Sequence, residues 1–412
     1  MQQGRQTVSP VSDAAWDTSS VAPLLLARGL RDFGDGFAAV LLPAYLLAIE
    51  LSPWHVGVLS SVSLFGSSLL TLAMGMLGAR LEHRRLLLAA ACLMAVTGIM
   101  FSVAETYAVL LLVAFAGTIN PSSGNVSVFV PIEHAVLSRA VAPKRRTALF
   151  ARYSLVGALA GAMGALSAAT PDILGRSGID HLTAIKGMFV LYALLGVAGC
   201  LIYRRLPHHH DHEVGRTASA LGPSRKIVFR LAALFSLDSF AGGFVVQSLL
   251  ALWLFQKFDM SLAAASLFFF CSGLLSAFSF PVAAWLSERI GLINTMVFTH
   301  IPSSLCLILA AFAPTLWLAL TLLLVRAALS QMDVPTRSSY VMAVVTEGER
   351  AAAASVTSVP RSLAAALSPA LAGAMFGGAF LAGPFILCSV LKITYDLLLL
   401  VQFRHIKPPE EA

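Results

Sequence analysis

Residues 86–104 read L-L-L-A-A-A-C-L-M-A-V-T-G-I-M-F-S-V-A, an apolar run without a single charged side chain. At about 1.5 Å per residue, roughly 20 such residues cross the hydrocarbon core of a bilayer as one helix. Charged residues, Arg85 and Glu105, flank the run and mark where the helix is expected to meet water. The segment therefore predicts a membrane-spanning helix.

The rest of the chain has the same character. Of its 412 residues, 58% are hydrophobic and only 12% are charged, with a mean hydropathy of +0.81. Soluble domains carry about 25% charged residues, because their surfaces need polar cover. We therefore expect an integral membrane protein whose main partner is the lipid bilayer. The net charge of +7 does not indicate nucleic-acid binding, because the basic residues are divided among short loops.

Twelve segments of this kind follow one another along the chain. Each is long and apolar enough to span a bilayer as a helix. We expect spans one to twelve at 27–49, 54–79, 85–105, 107–135, 147–168, 184–203, 227–256, 261–287, 292–313, 315–343, 351–377 and 381–403. The predicted fold class is an all-α integral membrane protein with twelve transmembrane helices in two pseudo-symmetric six-helix bundles.

The positions of the basic residues predict the orientation. If the spans alternate in direction, 18 of the 28 Lys and Arg residues lie on the side of the N-terminus, 3 lie opposite, and 7 lie within spans. Loops rich in Lys and Arg remain on the cytoplasmic side of a membrane. We therefore expect a multi-pass protein of the inner (cytoplasmic) membrane with both termini in the cytoplasm.

A polar interruption divides the twelve spans into two halves. We expect a cytosolic tail at 1–23, an N-terminal bundle at 24–203, a cytoplasmic linker at 204–226, a C-terminal bundle at 227–403 and a second tail at 404–412. Each half contains six spans, so the linker joins two units of equal size. A single chain of this kind is expected to work as a monomer.

Histidines and cysteines give no sign of a cofactor. The linker contains His208, His209, His210 and His212, which could bind a transition metal. A solvated basic loop beside the anionic inner leaflet is the favoured interpretation. The five cysteines are scattered through apolar stretches and lack metal-ligand spacing, so we expect neither a metal centre nor another cofactor.

The two halves repeat one another. Pro131 and Arg146 stand 15 positions apart before span five, and Pro335 and Arg350 stand 15 positions apart before span eleven. Both pairs are related by an offset of 204 positions. Six spans followed by six in the same orientation are the pattern of a two-bundle transporter whose binding site lies between the halves.

Two loops carry a resemblance to a known family. The loop at 75–85 reads G-M-L-G-A-R-L-E-H-R-R, and its counterpart at 284–291 reads A-W-L-S-E-R-I-G. Both are similar to the G-x-L-A-D-R-x-G-R-R loop of the major facilitator superfamily, and the resemblance covers about residues 24–403. The chain resembles the bacterial members that export drugs or other solutes. The resemblance implies alternating access by rocking of the two bundles.

The resemblance implies that the matching loop residues form a gate on the cytoplasmic face. These residues are Gly75, Arg80 and Arg84 in the first copy and Glu288 and Arg289 in the second. Ala79 stands where the family has its acidic residue. The resemblance therefore implies that the acid–arginine pair of this gate is kept only in the second copy.

Span one holds four charged residues. Ionisable groups inside a membrane cost a few kcal/mol each, so each is a candidate functional residue. Arg28 and Asp32 are four positions apart, as are Arg31 and Asp35, so each pair can meet along one helix face. Asp35 lies deepest and is the leading candidate for a proton carrier in this half.

Spans four and five add further polar candidates. Asn125 could line an aqueous cavity, and Glu133 lies nearer the cytoplasmic end of span four. Arg152 is expected inside span five, where it could pair with Glu133 or with the acids of span one. Both structural ion pairing and a role in moving substrate or protons fit these residues.

Span ten contains the sharpest motif, R-A-A-L-S-Q-M-D-V-P-T-R at 326–337. Asp333 and Arg337 are four positions apart and are expected to pair. Arg326 has no acid at close helical spacing. It could bind an anion, because its guanidinium group fits a carboxylate or phosphate with two hydrogen bonds, or it could form a salt bridge to Asp238 of span seven.

Other polar residues of the second half have structural interpretations. Gln247 of span seven could line the substrate pathway with Asp238. Lys392 and Asp396, four positions apart, are expected to form a pair of their own. His300 is expected to be a hydrogen-bonded structural residue. Arg361 is expected at the cytoplasmic end of span eleven.

The function that these features favour is secondary active transport of a small solute. The sequence has no nucleotide-binding loop of the G-x-x-x-x-G-K-[ST] type, so protons are the expected energy source, carried by Asp35 and Asp238. Substrate and proton are expected to compete for one cavity between spans 1, 4, 7 and 10. The apolar spans favour export of an amphipathic compound, and the arginines favour an anion.

Two alternatives remain at this point. The chain could import an organic anion, or it could be a membrane sensor built on a transporter-like fold. The buried charges count against a sensor, because a fold that moves nothing does not need them. An intramembrane enzyme is not expected, because the dispersed His and Cys residues form no catalytic group.

Overall fold

A computed structural model describes residues 20–77, 81–122, 127–141, 143–207, 222–346, 349–378 and 380–404. No β-strand occurs in these ranges, and the regular elements are helices. The predicted His-rich linker segment, with His208, His209, His210 and His212, lies outside the described residues. The all-α fold class is confirmed.

The described part of the first half contains eight helices. These are α1 (Val21–Ala48), α2 (Pro53–Leu77), α3 (His83–Val103), α4 (Tyr107–Ala116), α5 (Phe129–Ala140), α6 (Pro143–Ser167), α7 (Thr170–Gly175) and α8 (His181–Tyr203). Span four is therefore not continuous, as predicted, but divided into α4 and α5. Pro121, which has no backbone N–H, lies in the interruption and cannot support a regular helix there.

Nine helices occur in the described residues of the second half. These are α9 (Arg225–Gly243), α10 (Gln247–Phe258), α11 (Leu262–Ile290), α12 (Leu292–Ala311), α13 (Leu316–Ser330), α14 (Asp333–Ala343), α15 (Arg350–Ala365), α16 (Ser368–Gly377) and α17 (Gly383–Phe403). Spans seven, ten and eleven are each divided in two. Two of these breaks precede prolines 335 and 369, which cannot donate the hydrogen bond that a continuous helix requires.

Eight helical runs in the described part are long and apolar enough to cross a membrane. Four predicted spans fall outside this group. Span one, helix α1, carries Arg28, Arg31, Asp32 and Asp35. Spans four, ten and eleven are each interrupted, so their pieces are short. Charged or broken segments are tolerated in a membrane where they face protein or an aqueous cavity, and these helices do so here.

The two bundles have the same internal arrangement. Helix α1 packs against α6, and its counterpart α9 packs against α15. Helix α3 packs against α8, and α12 packs against α17 in the same way. The contact between α1 and α6 is close because both are glycine-rich there. A Cβ atom on Gly36 would overlap the backbone carbonyl of Gly161.

The bundles contact each other from mid-membrane to the end at which α2 and α11 begin, which we call the α2 end. Helix α2 crosses α16 at Gly57, where the Cα of Gly373 is 2.7 Å from the position that a Cβ would occupy. The N–H of Ser248 donates to the carbonyl of Pro121 at 3.0 Å. The N–H of Ala370 donates to Ser61 Oγ at 2.9 Å. These contacts join the two bundles on one side of the molecule.

A carboxylate outside the spans holds the start of the second half. Glu349, which precedes α15, accepts hydrogen bonds from the Thr346 hydroxyl at 2.7 Å and from the N–H of Gly222. These hydrogen bonds, with a larger contribution from the Ser224 hydroxyl, lower the pKa of the Glu349 carboxyl group to about 2. The end of the linker is therefore fixed to the loop between α14 and α15.

Candidate functional site

A cavity of about 530 Å³ lies between the two bundles. Its volume is within the range of small-molecule binding sites, about 300–1,000 Å³. Helices α1 and α6 line it from the first bundle. Helix α11, the interrupted spans seven, ten and eleven, and single residues of α12 and α17 line it from the second. Ser122 and Gln247, which also line it, are neighbours of the inter-bundle hydrogen bond between Pro121 and Ser248. The contacts of the α2 end therefore bound one side of the cavity.

The cavity wall carries more positive than negative charge. Five cationic side chains line it: Arg28, Arg326, Arg337, Arg361 and Lys392. Three carboxylates line it: Asp32, Asp238 and Asp333. With His300 neutral, the wall has an excess of two positive charges. Such an excess favours a negatively charged occupant.

The three carboxylates are each paired with a cation. Arg28 Nη2 lies 2.7 Å from Asp32 Oδ2, as the helical spacing predicted. Arg337 Nη1 lies 3.0 Å from Asp333 Oδ2, which was also predicted, and 3.2 Å from Asp238 Oδ2. The other oxygen of Asp238 accepts a hydrogen bond from a lysine of α17. The acidic groups of the wall are therefore already neutralised.

Two arginines of the wall lack a carboxylate partner. No Asp or Glu of the described residues forms an ion pair with Arg326 on α13 or with Arg361 on α15. Arg361 Nε donates to Ser239 Oγ at 2.8 Å, a neutral acceptor that leaves its charge uncompensated. The predicted alternative of a salt bridge between Arg326 and Asp238 is therefore wrong. Arg361 lines the cavity rather than only closing the cytoplasmic end of span eleven.

The lysine that holds Asp238 also contacts a histidine. Lys392 Nζ lies 2.7 Å from Asp238 Oδ1 and 3.3 Å from His300 Nε2. On its other side, His300 Nδ1 lies 3.1 Å from Asp396 Oδ1. The predicted pair between Lys392 and Asp396 is therefore wrong, because both residues find partners on other helices. His300 is hydrogen-bonded, as predicted, but it also lines the cavity.

A second ionic cluster lies inside the first bundle. Arg31 donates two hydrogen bonds to Glu133, at 3.1 and 3.0 Å, and the Tyr203 hydroxyl donates another at 2.6 Å. The Tyr153 hydroxyl also bonds Glu133. The Glu133 side chain is fully buried. The predicted pair of Arg31 with Asp35 is therefore wrong, because the arginine reaches across to α5.

Two further predicted pathway residues lie away from the cavity. Arg152 is on an exposed face of α6, and the expected pairing with Glu133 is wrong, because Arg31 and two tyrosines occupy that carboxylate. Asp35 is buried and accepts one hydrogen bond from the Tyr192 hydroxyl at 3.1 Å. Asp35 does not line the cavity in the described part of the chain. Its role as a proton carrier stays a prediction.

The main ion pairs of the two bundles occupy equivalent positions with opposite charge. Arg31 pairs with Glu133 in the first bundle, and Asp238 pairs with Arg337 in the second. Asp238 stands 207 positions after Arg31, and Arg337 stands 204 positions after Glu133. In each bundle the pair joins the first span to the fourth. The internal repeat thus extends to the position of an ion pair, and the charges are exchanged.

The remaining predicted residues are placed as follows. Gly75 is within α2, and Arg84 Nη2 donates to the carbonyl of Arg204 at 2.7 Å. Glu288 and Arg289 are exposed at the end of α11, where the Arg289 guanidinium group lies 4.1 Å from the Trp285 ring centroid. Two predicted residues, Arg80 of the gate and Asn125 of the pathway, lie outside the described residues.

The sequence interpretation did not assign Lys392, His300 and Arg361 to the cavity. Each had a simpler explanation: an i,i+4 partner, a structural hydrogen bond or a position near a helix end. All three are polar groups within or beside predicted membrane spans, and the cost of placing such groups in a membrane was the available signal.

Two six-helix bundles around a charged central cavity define a two-bundle membrane transporter. Comparison of the sequence with family models agrees: the model described as Major Facilitator Superfamily matches residues 24–251 and 232–412. The chain belongs to the Major Facilitator Superfamily. As a member of this family it is a transporter.

Known proteins show how far the similarity extends. An uncharacterized membrane protein of Saccharomyces cerevisiae, YJR124C, is 24% identical over 410 residues. The match covers 91% of this chain and 92% of that protein. The crystal structure of the nucleoside transporter NupG has a TM-score of 0.71 at 15% identity, covering 94% of this chain and 99% of that one. The inward-open xylose transporter XylE from E. coli has a TM-score of 0.71 at 13% identity, covering 96% and 97%. These structures share the fold.

Proposed function

We propose that this protein is a secondary active transporter that carries a small anion through the cavity between its bundles. The observation that carries the proposal is the presence of two cavity arginines, Arg326 and Arg361, without a carboxylate partner among the described residues. The substrate class and the coupling ion are part of this proposal.

The energetic reason is the cost of an uncompensated charge inside a membrane protein. Placing a cation where water is scarce costs several kcal/mol unless an anion or hydrogen-bond acceptors compensate it. The three carboxylates of the wall are already shared among Arg28, Arg337 and Lys392. An anionic substrate compensates the two remaining arginines, and guanidinium groups bind carboxylate and phosphate oxygens especially well.

Apolar side chains, among them Leu250, Phe269 and Phe280, line the cavity together with the charged groups. The large exposed apolar side chains, such as Phe278 and Val401, lie outside the set of residues that line the cavity. On a membrane protein such outward apolar surface suits contact with lipid. The uncompensated arginines are therefore the reason to propose an anion, and an anion with an apolar part also fits this lining.

We propose protons as the coupling ion, because Asp238 and His300 line the same cavity as the two arginines. Their ionisation would change the charge that an anion meets. The distribution of Lys and Arg supports a cytoplasmic membrane location with both termini in the cytoplasm. Since one chain contains the whole cavity, we propose that it acts as a monomer.

The proposal is tested with purified protein in lipid vesicles. Radiolabelled phosphate, sulfate, lactate and succinate are offered under an imposed pH gradient, together with neutral glucose. We expect accumulation of at least one anion and none of glucose. We expect Arg326→Gln to reduce the uptake of that anion strongly, whereas Arg176→Gln, at an exposed position outside the cavity, retains it. Failure of every anion to accumulate, or full uptake by Arg326→Gln, would contradict the proposal.

A further inference from the structure

A chain of polar contacts leads from the cavity into the second bundle. It begins at Asp238, passes through Lys392 and His300, and ends at Asp396, with successive distances of 2.7, 3.3 and 3.1 Å. The first three residues line the cavity, and Asp396 is fully buried behind them. The chain joins helices α9, α17 and α12, so it connects spans seven, nine and twelve.

The contacts define where the histidine carries its proton. A lysine ammonium group has only donors, so His300 Nε2 must accept the hydrogen bond from Lys392. The ring proton of neutral His300 is therefore on Nδ1, where it donates to Asp396 Oδ1. The second oxygen, Asp396 Oδ2, is buried and has no hydrogen-bond partner among the described residues. The pair thus has two free basic positions: Asp396 Oδ2, and His300 Nε2 once Lys392 moves away.

We infer that the His300–Asp396 pair binds the coupled proton, and that this proton and the substrate anion bind together instead of competing. The inference rests on the proposed function, because it requires an anion in the cavity. It changes the expected mechanism from exchange of substrate for protons to transport of both in the same direction. An inward proton gradient would then drive uptake of the anion.

Charge is the reason for joint binding. A proton on the pair adds one positive charge beside a cavity that already has an excess of two. For a separation of roughly 10 Å and an effective dielectric constant of about 20, this charge strengthens the binding of a monovalent anion on the order of tenfold. Coupling between two sites is reciprocal, so the anion strengthens proton binding by the same factor.

Movement of Lys392 also couples proton binding at His300 to anion binding in the cavity. When His300 Nε2 takes up a proton, it becomes a donor and can no longer accept from Lys392. Two positive groups then face each other at a contact that measures 3.3 Å in the described state. Lys392 moves toward Asp238 and the cavity, where it can meet the anion. The proton enters from water on one side of the membrane and is released to water on the other, so no other bond forms or breaks.

The neighbourhood of the pair contains several other charged or titratable groups. The ring centroid of Tyr395 lies 6.2 Å from the ring centroid of His300. Charged or titratable groups on helices packed against α12 or α17 include Asp238 on α9, Glu288 and Arg289 on α11, Arg326 on α13, Asp333, Arg337 and Tyr340 on α14, and Lys392 on α17 itself. Asp333 and Asp238 are already paired with cations, which leaves the His300–Asp396 pair as the less compensated acid–base group.

The test measures how many protons the purified transporter takes up when an anion binds. The probe is whichever of phosphate, sulfate, lactate and succinate the wild-type protein transports. Isothermal titration calorimetry at pH 7 in buffers of different ionisation enthalpy gives the protons taken up per anion bound. We expect net uptake by the wild type, loss of that uptake in His300→Gln and Asp396→Asn, and a drop in anion affinity on the order of tenfold at pH 6.

The matched control is His181→Gln. His181 Nε2 also contacts an aspartate, Asp172, at 3.0 Å, but this pair lies outside the cavity. We expect this variant to keep the proton uptake of the wild type. Each variant is first checked for a folded, monodisperse state and for anion binding, so that a loss of uptake cannot be confused with unfolding. Asp396→Asn serves as the second variant if His300→Gln does not fold.

The outcomes separate this inference from the proposed function. If the wild type transports none of the four anions, the proposed function fails. If the wild type transports an anion but releases protons on binding it, or takes up none, joint binding is overturned while the anion transporter remains. If His300→Gln and Asp396→Asn both retain full proton uptake, the coupled proton binds elsewhere and the inference is wrong.

Discussion

A single methyl group at the crossing of α2 and α16 should change the conformation of the transporter. Gly57 contacts Gly373 so closely that a Cβ atom on Gly57 would lie 2.7 Å from the Cα of Gly373. Ordinary carbon contacts measure about 3.5–4.0 Å. In Gly57→Ala the two helices must therefore separate by about 1 Å, and this crossing is one of the contacts that join the bundles at the α2 end.

The expected effect follows from the cost of overpacking, about 1–3 kcal/mol for an added methylene-sized group. Because each 1.4 kcal/mol is a tenfold change, the penalty should shift the ratio of the two conformations about 5- to 140-fold. The shift favours the state in which the α2 end is open, since the new methyl group meets no clash there. Gly187→Ala is the control, because a Cβ at that helical position meets no atom within 4 Å.

The assay is a distance measurement between spin labels on the two bundles. The labels are placed at Ile179 in the first bundle and Trp317 in the second, which are 42% and 79% exposed and lie near the α2 end. The five native cysteines are replaced by serine beforehand. We expect a population of longer distances in Gly57→Ala and the wild-type distribution in Gly187→Ala. An unchanged distribution in a folded Gly57→Ala protein would refute the idea that this crossing keeps the α2 end closed.

Three other predictions concern charged residues. Glu133→Gln removes one partner of a fully buried ion pair and should cost about 3–5 kcal/mol, seen as a lower Tm, whereas Glu105→Gln at an exposed pair should leave the Tm nearly unchanged. Asp35→Asn should retain proton uptake on anion binding, because Asp35 does not line the cavity; loss of uptake would place the coupled proton in the first bundle. The pKa of Glu349 is lowered, chiefly by the Ser224 hydroxyl, to about 2, so its stabilisation is complete above pH 5 and is lost as the pH falls toward 2. The Tm difference between wild type and Glu349→Gln should shrink over that range, and a constant difference would contradict it.

The sequence predicted ion pairs correctly where both partners share a helix. Arg28 with Asp32 and Asp333 with Arg337 are confirmed, because helical geometry alone brings residues four positions apart together. The same spacing was misleading for Lys392 and Asp396. A spacing shows that two groups can meet, but it does not show whether a third group on a neighbouring helix is closer.

Contacts between helices could not be predicted from one sequence. Arg31 and Glu133 are 102 positions apart, and they meet because α1 and α5 are brought together by the fold of the bundle. The cavity residues Arg361 and His300 were known as polar groups, but their positions depend on how spans nine and eleven rotate. Rotation is set by packing against neighbouring helices, and composition does not reveal it.

The number of spans could be predicted from the sequence, but the continuity of each span was not predicted. Apolar length predicts how many times the chain crosses the membrane, and the fold class is confirmed on that basis. The interruptions in spans four, seven, ten and eleven were not predicted, although prolines 121, 335 and 369 indicate three of them. In a membrane a broken helix is tolerated where the freed backbone faces protein or a cavity. Spans seven, ten and eleven line the cavity, and Ser122 in the interruption of span four does so as well.

The two bundles differ in the charge that they present to the cavity, because Arg28 and Asp32 balance each other in the first bundle, whereas cations outnumber carboxylates in the second. In the first bundle the arginine of the pair, Arg31, lies on span one and is enclosed with Glu133. In the second bundle the arginine, Arg337, lies on span ten beside Arg326 and reaches the cavity. The exchanged pair is neutral in both bundles, so the excess of positive charge comes from Arg326 and Arg361, which are not part of it.

The most direct test of the proposed anion site is equilibrium binding to purified protein. A radiolabelled anion that the wild type transports is titrated against wild type, Arg326→Gln, Arg361→Gln and the exposed control Arg176→Gln. Hydrogen bonds to a charged group contribute about 1.5–3 kcal/mol, so each cavity variant should raise the Kd about 10- to 100-fold. The control should bind as the wild type does. Wild-type affinity in both cavity variants would contradict the assignment of Arg326 and Arg361 as the anion site.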